Sequence, residues 1–213
     1  LIRGVEATRD EEFAKAFCHK NGIEIFVEKI DVPAIASKNS LSLETAARIE
    51  RYKAFNLYAS KFNCPVAVAH NKNDQAETVL MHLIRGCGLN GICGIRAKND
   101  NIIRPLLAIS RSEIESFAKE NGLDYVTDST NLLDDCARNK LRLNVLSPLY
   151  DNFSDALDNI FASAALLSRY AEHIKAECDT LFEENSYTKD NKVYLTLKDY
   201  DKIQFAELVR RAF

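Results

Sequence analysis

The stretch HNKNDQAETVLMHLIRGCG, residues 70–88, sets His70, Asp74, Gln75, Glu77 and Thr78 at the head of an apolar-periodic run that stops on glycines. Carboxylates at the start of a helix that follows a strand can hold a magnesium ion or an ammonium group. The same residues also suit a capping box, with Asp74 as the cap and Glu77 three residues on. Three further clusters carry comparable chemistry. Arg104 interrupts the apolar run IIRPLL, a costly place for a charge unless it is paired or reaches an opening at the strand end. The competing account is an edge strand with Arg104 in solvent, which Pro105 favours. In DYVTDSTNLLDDCARNKLRLNVLSPL, Asp128, Ser129, Thr130 and Asn131 make a polar turn. Arg138 and Arg142 follow four residues apart, on one helix face, with Asn139 adjacent. Two guanidinium forks on one face suit phosphates; surface pairing with Asp134 or Asp135 is the plainer account. Finally, Glu44, Arg48, Arg51 and Tyr52 have the spacing of a solvated helix face stitched by ion pairs.

The elements that must position these residues are legible in outline. Residues 8–21 read as a helix with Phe13, Ala16 and Phe17 on one side, and IEIFVEKIDV reads as a strand. Residues 41–62 read as a second helix, and CPVAVAH as a strand buried on both faces. The helix of the opening stretch is ended by Gly86 and Gly88. NIIRPLL is another strand, and Ser110 with Glu113 makes a capping box for RSEIESFAKEN, stopped at Asn121-Gly122. Alternating helices and strands with short connections predict an α/β fold, a parallel sheet with helices on both faces. Ligands in such sheets sit beyond the C-terminal ends of strands. His70 to Glu77, Asp31 and the turn after Leu107 occupy such ends. From Asp151 the pattern becomes one long helix to residue 185, then a lone strand KVYLTL and a last helix from YDKIQFAELVRRAF. The expected division is an α/β part over residues 1–149, a helical linker over 150–186 and the start of a small second, substrate-recognition domain over 187–213.

With 213 residues, 46% of them apolar, the chain can bury one good core or a core plus an appendage. It begins at Leu1 and its single methionine is Met81, so it reads as a processed product or a fragment. No apolar run reaches membrane-spanning length, and residues 1–10 lack the apolar core of a signal peptide; a soluble, cytoplasmic protein without a membrane partner is expected. Cys18, Cys64, Cys87, Cys93, Cys136 and Cys178 form no CxxC pair, and scattered reduced thiols are the simplest reading. The net charge is −3, but the excess acid lies in residues 151–213, which carry eight Lys and Arg against twelve Asp and Glu. Local basic patches on the first 150 residues therefore remain compatible with a nucleic-acid partner.

The order of the clusters resembles one family. RGVEATRDEEFAKAF, ETAARIERY, AHNKNDQAETVLMHLIRGCGLNGICGI, IIRPLL, DYVTDSTN and ARNKLRLNVLSPL, in that order over residues 1–150, are similar to the tRNA(Ile)-lysidine synthetases. The D-Q-x-E-T-x-L plus R-G-x-G block and the R-N-x-x-R block are the most diagnostic parts. The resemblance implies a P-loop-like ATP pyrophosphatase, an adenine nucleotide alpha hydrolase-like fold. It implies ATP and Mg²⁺ as cofactors, and free L-lysine and an isoleucine tRNA with a CAU anticodon as partners; a homodimer is compatible with it. In that chemistry ATP activates the C2 carbonyl of the wobble cytidine with loss of pyrophosphate, and the amine of lysine then displaces AMP to give lysidine. Carried over residue by residue, Asp74, Glu77 and Arg142 are the catalytic candidates. Asp74 and Glu77 match the acids expected to hold the lysine ammonium and take its proton. His70, Arg104, Asp128, Asn131, Arg138 and Asn139 are the candidates for binding substrate and ATP, the arginines for the triphosphate and Asp128 and Asn131 for a turn lining the same cleft.

One departure stands out. The family opens with a strand and the phosphate-cradling sequence S-G-G-x-D-S, which does not occur here. The sequence is expected to omit an N-terminal part and to be clipped at the C-terminus. Two other readings follow from that departure and from the fold: a tRNA-binding remnant without catalysis, and a sulfur-inserting tRNA thiolase. For the second, Cys87 and Cys93, six apart across glycines, are a poor ligand pair.

Overall fold

The computed structural model describes residues 4–126, 137–190, 192–196, 198 and 200–212. Two compact units emerge from its contacts, one formed by Leu1–Asn71 with Ala97–Leu133, the other by Lys72–Arg96 with Asp134–Phe213.

In the first unit the chain begins with α1 (Gly4–Lys20), which starts earlier than its apolar pattern announces. The expected strand over IEIFVEKIDV is not formed: residues 23–31 run without sheet pairing, and the chain then turns into a short helix, α2 (Val32–Lys38). Local chemistry explains that turn, since Asp31 accepts the Ala34 amide at 3.2 Å as the N-cap and Pro33 sits at the head of the helix, where its missing N–H costs nothing. In α3 (Leu43–Phe62), Ser42 caps by accepting the Thr45 amide at 3.1 Å, and Asn63 in the left-handed region closes the other end. Arg48 lies 5.1 Å from the Tyr52 ring centroid, so the fourth cluster is stitched by a cation–π contact.

Three strands of two residues each follow: β1 (Val66–Ala67), β2 (Lys98–Asn99) and β3 (Ile102–Ile103), in the order β1-β3-β2. β1 pairs with β3 in parallel, Val66 opposite Ile102, whereas β2 pairs antiparallel, so the predicted parallel pairing is joined by a short hairpin the sequence pattern did not disclose. The α6 helix (Arg111–Glu120) carries the predicted capping box in both directions: the Glu113 carboxylate accepts the Ser110 amide at 2.8 Å while Ser110 Oγ accepts the Glu113 amide at 3.2 Å.

The second unit holds α4 (Lys72–Arg85), α5 (Leu89–Ile92) and α7 (Ala137–Leu141), the last leading through a π-helical turn (Arg142–Leu146) into α8 (Ser147–Asn152). The long helical pattern is broken at Phe153, whose extended backbone ends α8 before α9 (Ala156–Asn185) begins. Along α9 the buried residues are Ala164, Ala171, Cys178 and Asn185, seven apart, a narrow stripe of mostly small side chains. Small residues at that repeat let neighbours approach closely, and α4, α5 and α10 (Lys202–Ala212) pack on this helix. KVYLTL is not a lone strand: β5 (Lys192–Leu195) pairs antiparallel with β4 (Ser186–Lys189). No helix among the described residues is long and apolar enough to cross a membrane.

Candidate functional site

Helix α4 starts at Lys72, so Asp74 lies inside the first turn and is not its cap. The expected Asp74–Glu77 capping box is therefore corrected. The Glu77 carboxylate is instead buried, its side chain 3% exposed, and is clasped by two arginines. Arg142 donates from Nε to Oε1 at 2.6 Å and from Nη2 to Oε2 at 3.0 Å, a forked contact. Arg138 donates from Nε to Oε2 at 2.5 Å, and its Nη2 reaches Asp74 Oδ1 at 3.1 Å. The expected i,i+4 face thus exists, but its partners lie on α4, about 60 residues away along the chain, and not at the next turn. A buried carboxylate is tolerable only with such partners. The arginines themselves keep contact with solvent, with side-chain exposures of 43% for Arg138 and 27% for Arg142. Two guanidinium groups fixed on one carboxylate and still reached by solvent have the arrangement of an anion clamp.

Why the chain holds them there is local. Leu141 and Leu146 are buried and anchor the segment bearing both arginines. The wider π-helical turn begins at Arg142, a departure from α geometry that recurs at functional positions. On the other side, Gln75 and Val79 share the buried face of α4. Gln75 Nε2 donates to the Cys93 carbonyl at 2.9 Å, and its Oε1 accepts the Ile95 amide at 2.5 Å. Gln75, one residue of the opening cluster, is therefore a structural fastener for the glycine-rich turn after α4.

Tyr150, on α8, escaped the sequence reading altogether. Its hydroxyl is buried without a hydrogen-bond partner among the described residues. Burial, with the negative charge of Glu77 added, pushes its pKa up to about 12. A folded-state value above the ordinary one near 10 means that the neutral phenol favours the fold fully below about pH 10 and that this contribution is lost as pH climbs through about 12. Tyr150→Phe should remove that alkaline loss. At pH 7 it should leave stability unchanged or raise it by about 1 kcal/mol, because an unmade buried hydrogen bond disappears. Thermal melts at pH 7 and pH 11 check both; a loss of stability at pH 7 would show that the hydroxyl has a partner worth keeping.

In the first unit Arg104 is not on a solvent-facing edge: it is only 7% exposed, and its Nε donates to His70 Nδ1 at 3.1 Å. That contact makes Nδ1 the acceptor and leaves the ring proton on Nε2. Within this unit the structure brings His70 and Arg104 together, as it brings Asp74, Glu77, Arg138 and Arg142 together in the other. Asn139 is half-buried on α7 next to Arg138. Asp128 and Asn131, with the alternative partners Asp134 and Asp135, lie outside the described residues. Cys93 is buried and its Sγ donates to the Leu89 carbonyl at 3.0 Å, while Cys87 is exposed. The two thiols face different environments. Among the described residues no three His, Cys, Asp or Glu side chains converge as a metal cage.

Comparison with known proteins bears on this arrangement. The structure is similar to that of a U34-tRNA thiolase from Methanococcus maripaludis, with a TM-score of 0.60 over 76% of this chain and 57% of the other; at 21% identity this likeness speaks to the fold alone. Curated relatives named tRNA(Ile)-lysidine synthase align over most of the chain. The protein of Clostridium tetani is 39% identical over 195 residues, 91% of this chain and 40% of the relative. That of Caldanaerobacter subterraneus is 40% identical over 186 residues, 86% and 40%, and that of Bacteroides thetaiotaomicron 43% identical over 159 residues, 74% and 37%. The chain thus spans about 40% of the length of these curated relatives. The resemblance read from the motif order is borne out by them, and the family model described as a PP-loop domain matches residues 1–149, all the segments that carry His70, the acids of α4 and the clamp arginines. By that match, this chain belongs to the PP-loop domain family.

Proposed function

We propose that the chain is the catalytic part of a tRNA(Ile)-lysidine synthase, an ATP-dependent ligase that joins L-lysine to C2 of the wobble cytidine in an isoleucine tRNA with a CAU anticodon. The observation that carries the reading is the Arg138–Glu77–Arg142 clamp, set on segments that match relatives of that name. Two guanidinium groups fixed on one carboxylate and reached by solvent suit the charge of a triphosphate and of the pyrophosphate that leaves it. The cytidine O2 attacks the α-phosphorus, the bond from that phosphorus to the bridging oxygen breaks, and pyrophosphate departs. The lysine amine nitrogen then attacks C2, the C2–O bond breaks, AMP departs and the amine loses a proton.

The residues divide this work. Glu77 is a positioning residue: its two oxygens fix both guanidinium planes. Asp74, with a 23% exposed side chain, is the acid of the pair that solvent reaches, and it suits the lysine ammonium and the released proton. Arg104, oriented by His70, serves the nucleotide in the first unit. Asn139, Asp128 and Asn131 are retained as substrate contacts. The donor set fits ATP; a magnesium ion would be held chiefly by phosphate oxygens, as Mg²⁺ is in most nucleotide sites, with at most one or two carboxylates.

The test is the intact protein with ATP, L-lysine and the isoleucine tRNA, read by nucleoside mass spectrometry for lysidine and by pyrophosphate release. Lysidine is the expected product. Arg142→Lys, which keeps the charge but loses the fork, should lower kcat/KM about 100-fold. Tight tRNA binding without lysidine would overturn the ligase reading in favour of a binding protein.

A further inference from the structure

Helix α7, the π-helical turn and α8 follow one another without a break from Ala137 to Asn152. Arg138 and Tyr150 stand twelve residues apart on that rod. In an unbroken α-helix this spacing, about three and a third turns, would leave Tyr150 a third of a turn off the arginine face. A π turn takes up about one residue more than an α turn, so the segment 142–146 leaves about three whole turns between the two. Tyr150 is thereby brought round to the side of the rod that bears Arg138 and Arg142. The residue is half-buried, yet its hydroxyl is fully buried and meets no hydrogen-bond partner among the described residues. Glu77 is near enough for its charge to act on the phenol, which together with burial keeps the hydroxyl protonated at neutral pH. A buried donor and a buried acceptor are therefore neighbours without being joined. The acceptor is served by others: Glu77 takes three N–H bonds from Arg138 and Arg142 at 2.5 to 3.0 Å. A guanidinium that turned toward a phosphate would leave a carboxylate oxygen of this 3% exposed side chain without its donor and shielded from water, a costly state. The nearby hydroxyl on α4, Thr78 Oγ1, is already committed to the Asp74 carbonyl at 2.8 Å.

We propose that Tyr150 is the reserve donor of the clamp, a positioning residue whose O–H bonds to the Glu77 carboxylate when the polyphosphate of a nucleotide draws Arg138 and Arg142 outward. The inference rests on the nucleotide-binding reading above, but not on turnover. In the empty site the hydroxyl waits without a partner. In the loaded site it replaces a donor that the phosphates have taken, so Glu77 stays satisfied and keeps its place between the two arginines. The phenol keeps its proton throughout; only the hydrogen-bond partners change.

The experiment is isothermal titration calorimetry of the intact protein with ATP and with tripolyphosphate, parent against Tyr150→Phe. Both ligands should bind the variant at least about tenfold more weakly, because a hydrogen bond to a charged group is lost in the loaded state alone. The unliganded melt at pH 7 should not fall, which separates this loss from misfolding. Ultraviolet resonance Raman gives a direct signature. The parent-minus-variant difference isolates Tyr150 from the rest of the eight tyrosines, and its Fermi doublet should change from that of an unbonded phenol to that of a donor when ATP is added. Equal affinities in parent and variant, or a doublet that stays put at saturating ATP, would overturn the proposal. So would a parent that binds neither polyphosphate, or a variant whose unliganded melt falls at pH 7, since the hydroxyl would then already have a partner in the empty site. Weakened ATP binding by Tyr150→Phe in a protein that makes no lysidine would refute the ligase reading and leave the reserve donor standing. Lysidine from the parent with unchanged ATP binding in the variant would do the reverse.

Discussion

Glu77→Gln should lower the melting temperature by about 4–8 °C and reduce lysidine formation at least about 100-fold in one substitution. The amide is nearly isosteric, so packing is preserved. What changes is the charge at the one point that both Arg138 and Arg142 use, where the carboxylate now accepts three N–H bonds at 2.5 to 3.0 Å. An amide offers one accepting oxygen, and its NH₂ would face a guanidinium. Removing one partner from a buried ion pair costs about 3–5 kcal/mol. Both arginines can swing toward water, which brings the cost here to about 2 kcal/mol. The loss of activity has a separate cause: two guanidinium groups without their anchor repel each other and no longer present fixed donors. Differential scanning calorimetry and the lysidine assay read the two effects independently. Near-normal turnover would remove Glu77 from the machinery.

The second large effect belongs to Gly94→Ala, expected to cost about 3 kcal/mol or more. Gly94 has φ +66°, and a Cβ there would stand 2.6 Å from Gln75 Oε1 and 2.9 Å from Nε2. The Gln75 amide has nowhere to retreat, because both of its ends are bonded to the backbone at Cys93 and Ile95. The substitution therefore adds the cost of a left-handed alanine, about 1–2 kcal/mol, to that of unsatisfied buried backbone groups, about 1–3 kcal/mol. Gly22→Ala is the control. Its φ is +65°, but open space surrounds the new methyl, so only the first cost applies, and urea midpoints should differ clearly between the two variants. Equal losses would mean that Gln75 is not the obstacle.

Elements governed by local chemistry were legible in the sequence. The Ser110–Glu113 box and the termini of α3 follow from side chains within a few residues of the backbone they cap. Asp31 shows the limit: a segment rich in β-branched residues reads as strand, but Asp31 and Pro33 start a helix just after it and, among the described residues, no partner strand pairs with residues 23–31. The site divided in the same way. Four-residue spacing revealed that Arg138 and Arg142 share a face. It could not reveal that their partner is Glu77, because that pairing spans more than 60 residues and arises from packing. The Tyr150 hydroxyl left no trace at all, since nothing in a single sequence separates a buried tyrosine from a surface one.

Asp74, Glu77, Arg138 and Arg142 together form a neutral quartet. The clamp therefore already contains its own anion. Under the proposed function, an arriving triphosphate competes with two resident carboxylates for the guanidinium donors, and a departing pyrophosphate returns the arginines to partners that never left. Affinity for the spent product is capped by that competition, so the dwell time of pyrophosphate stays short without any moving gate. The same competition makes the empty site a poor trap for stray phosphate, which a bare pair of arginines would not be.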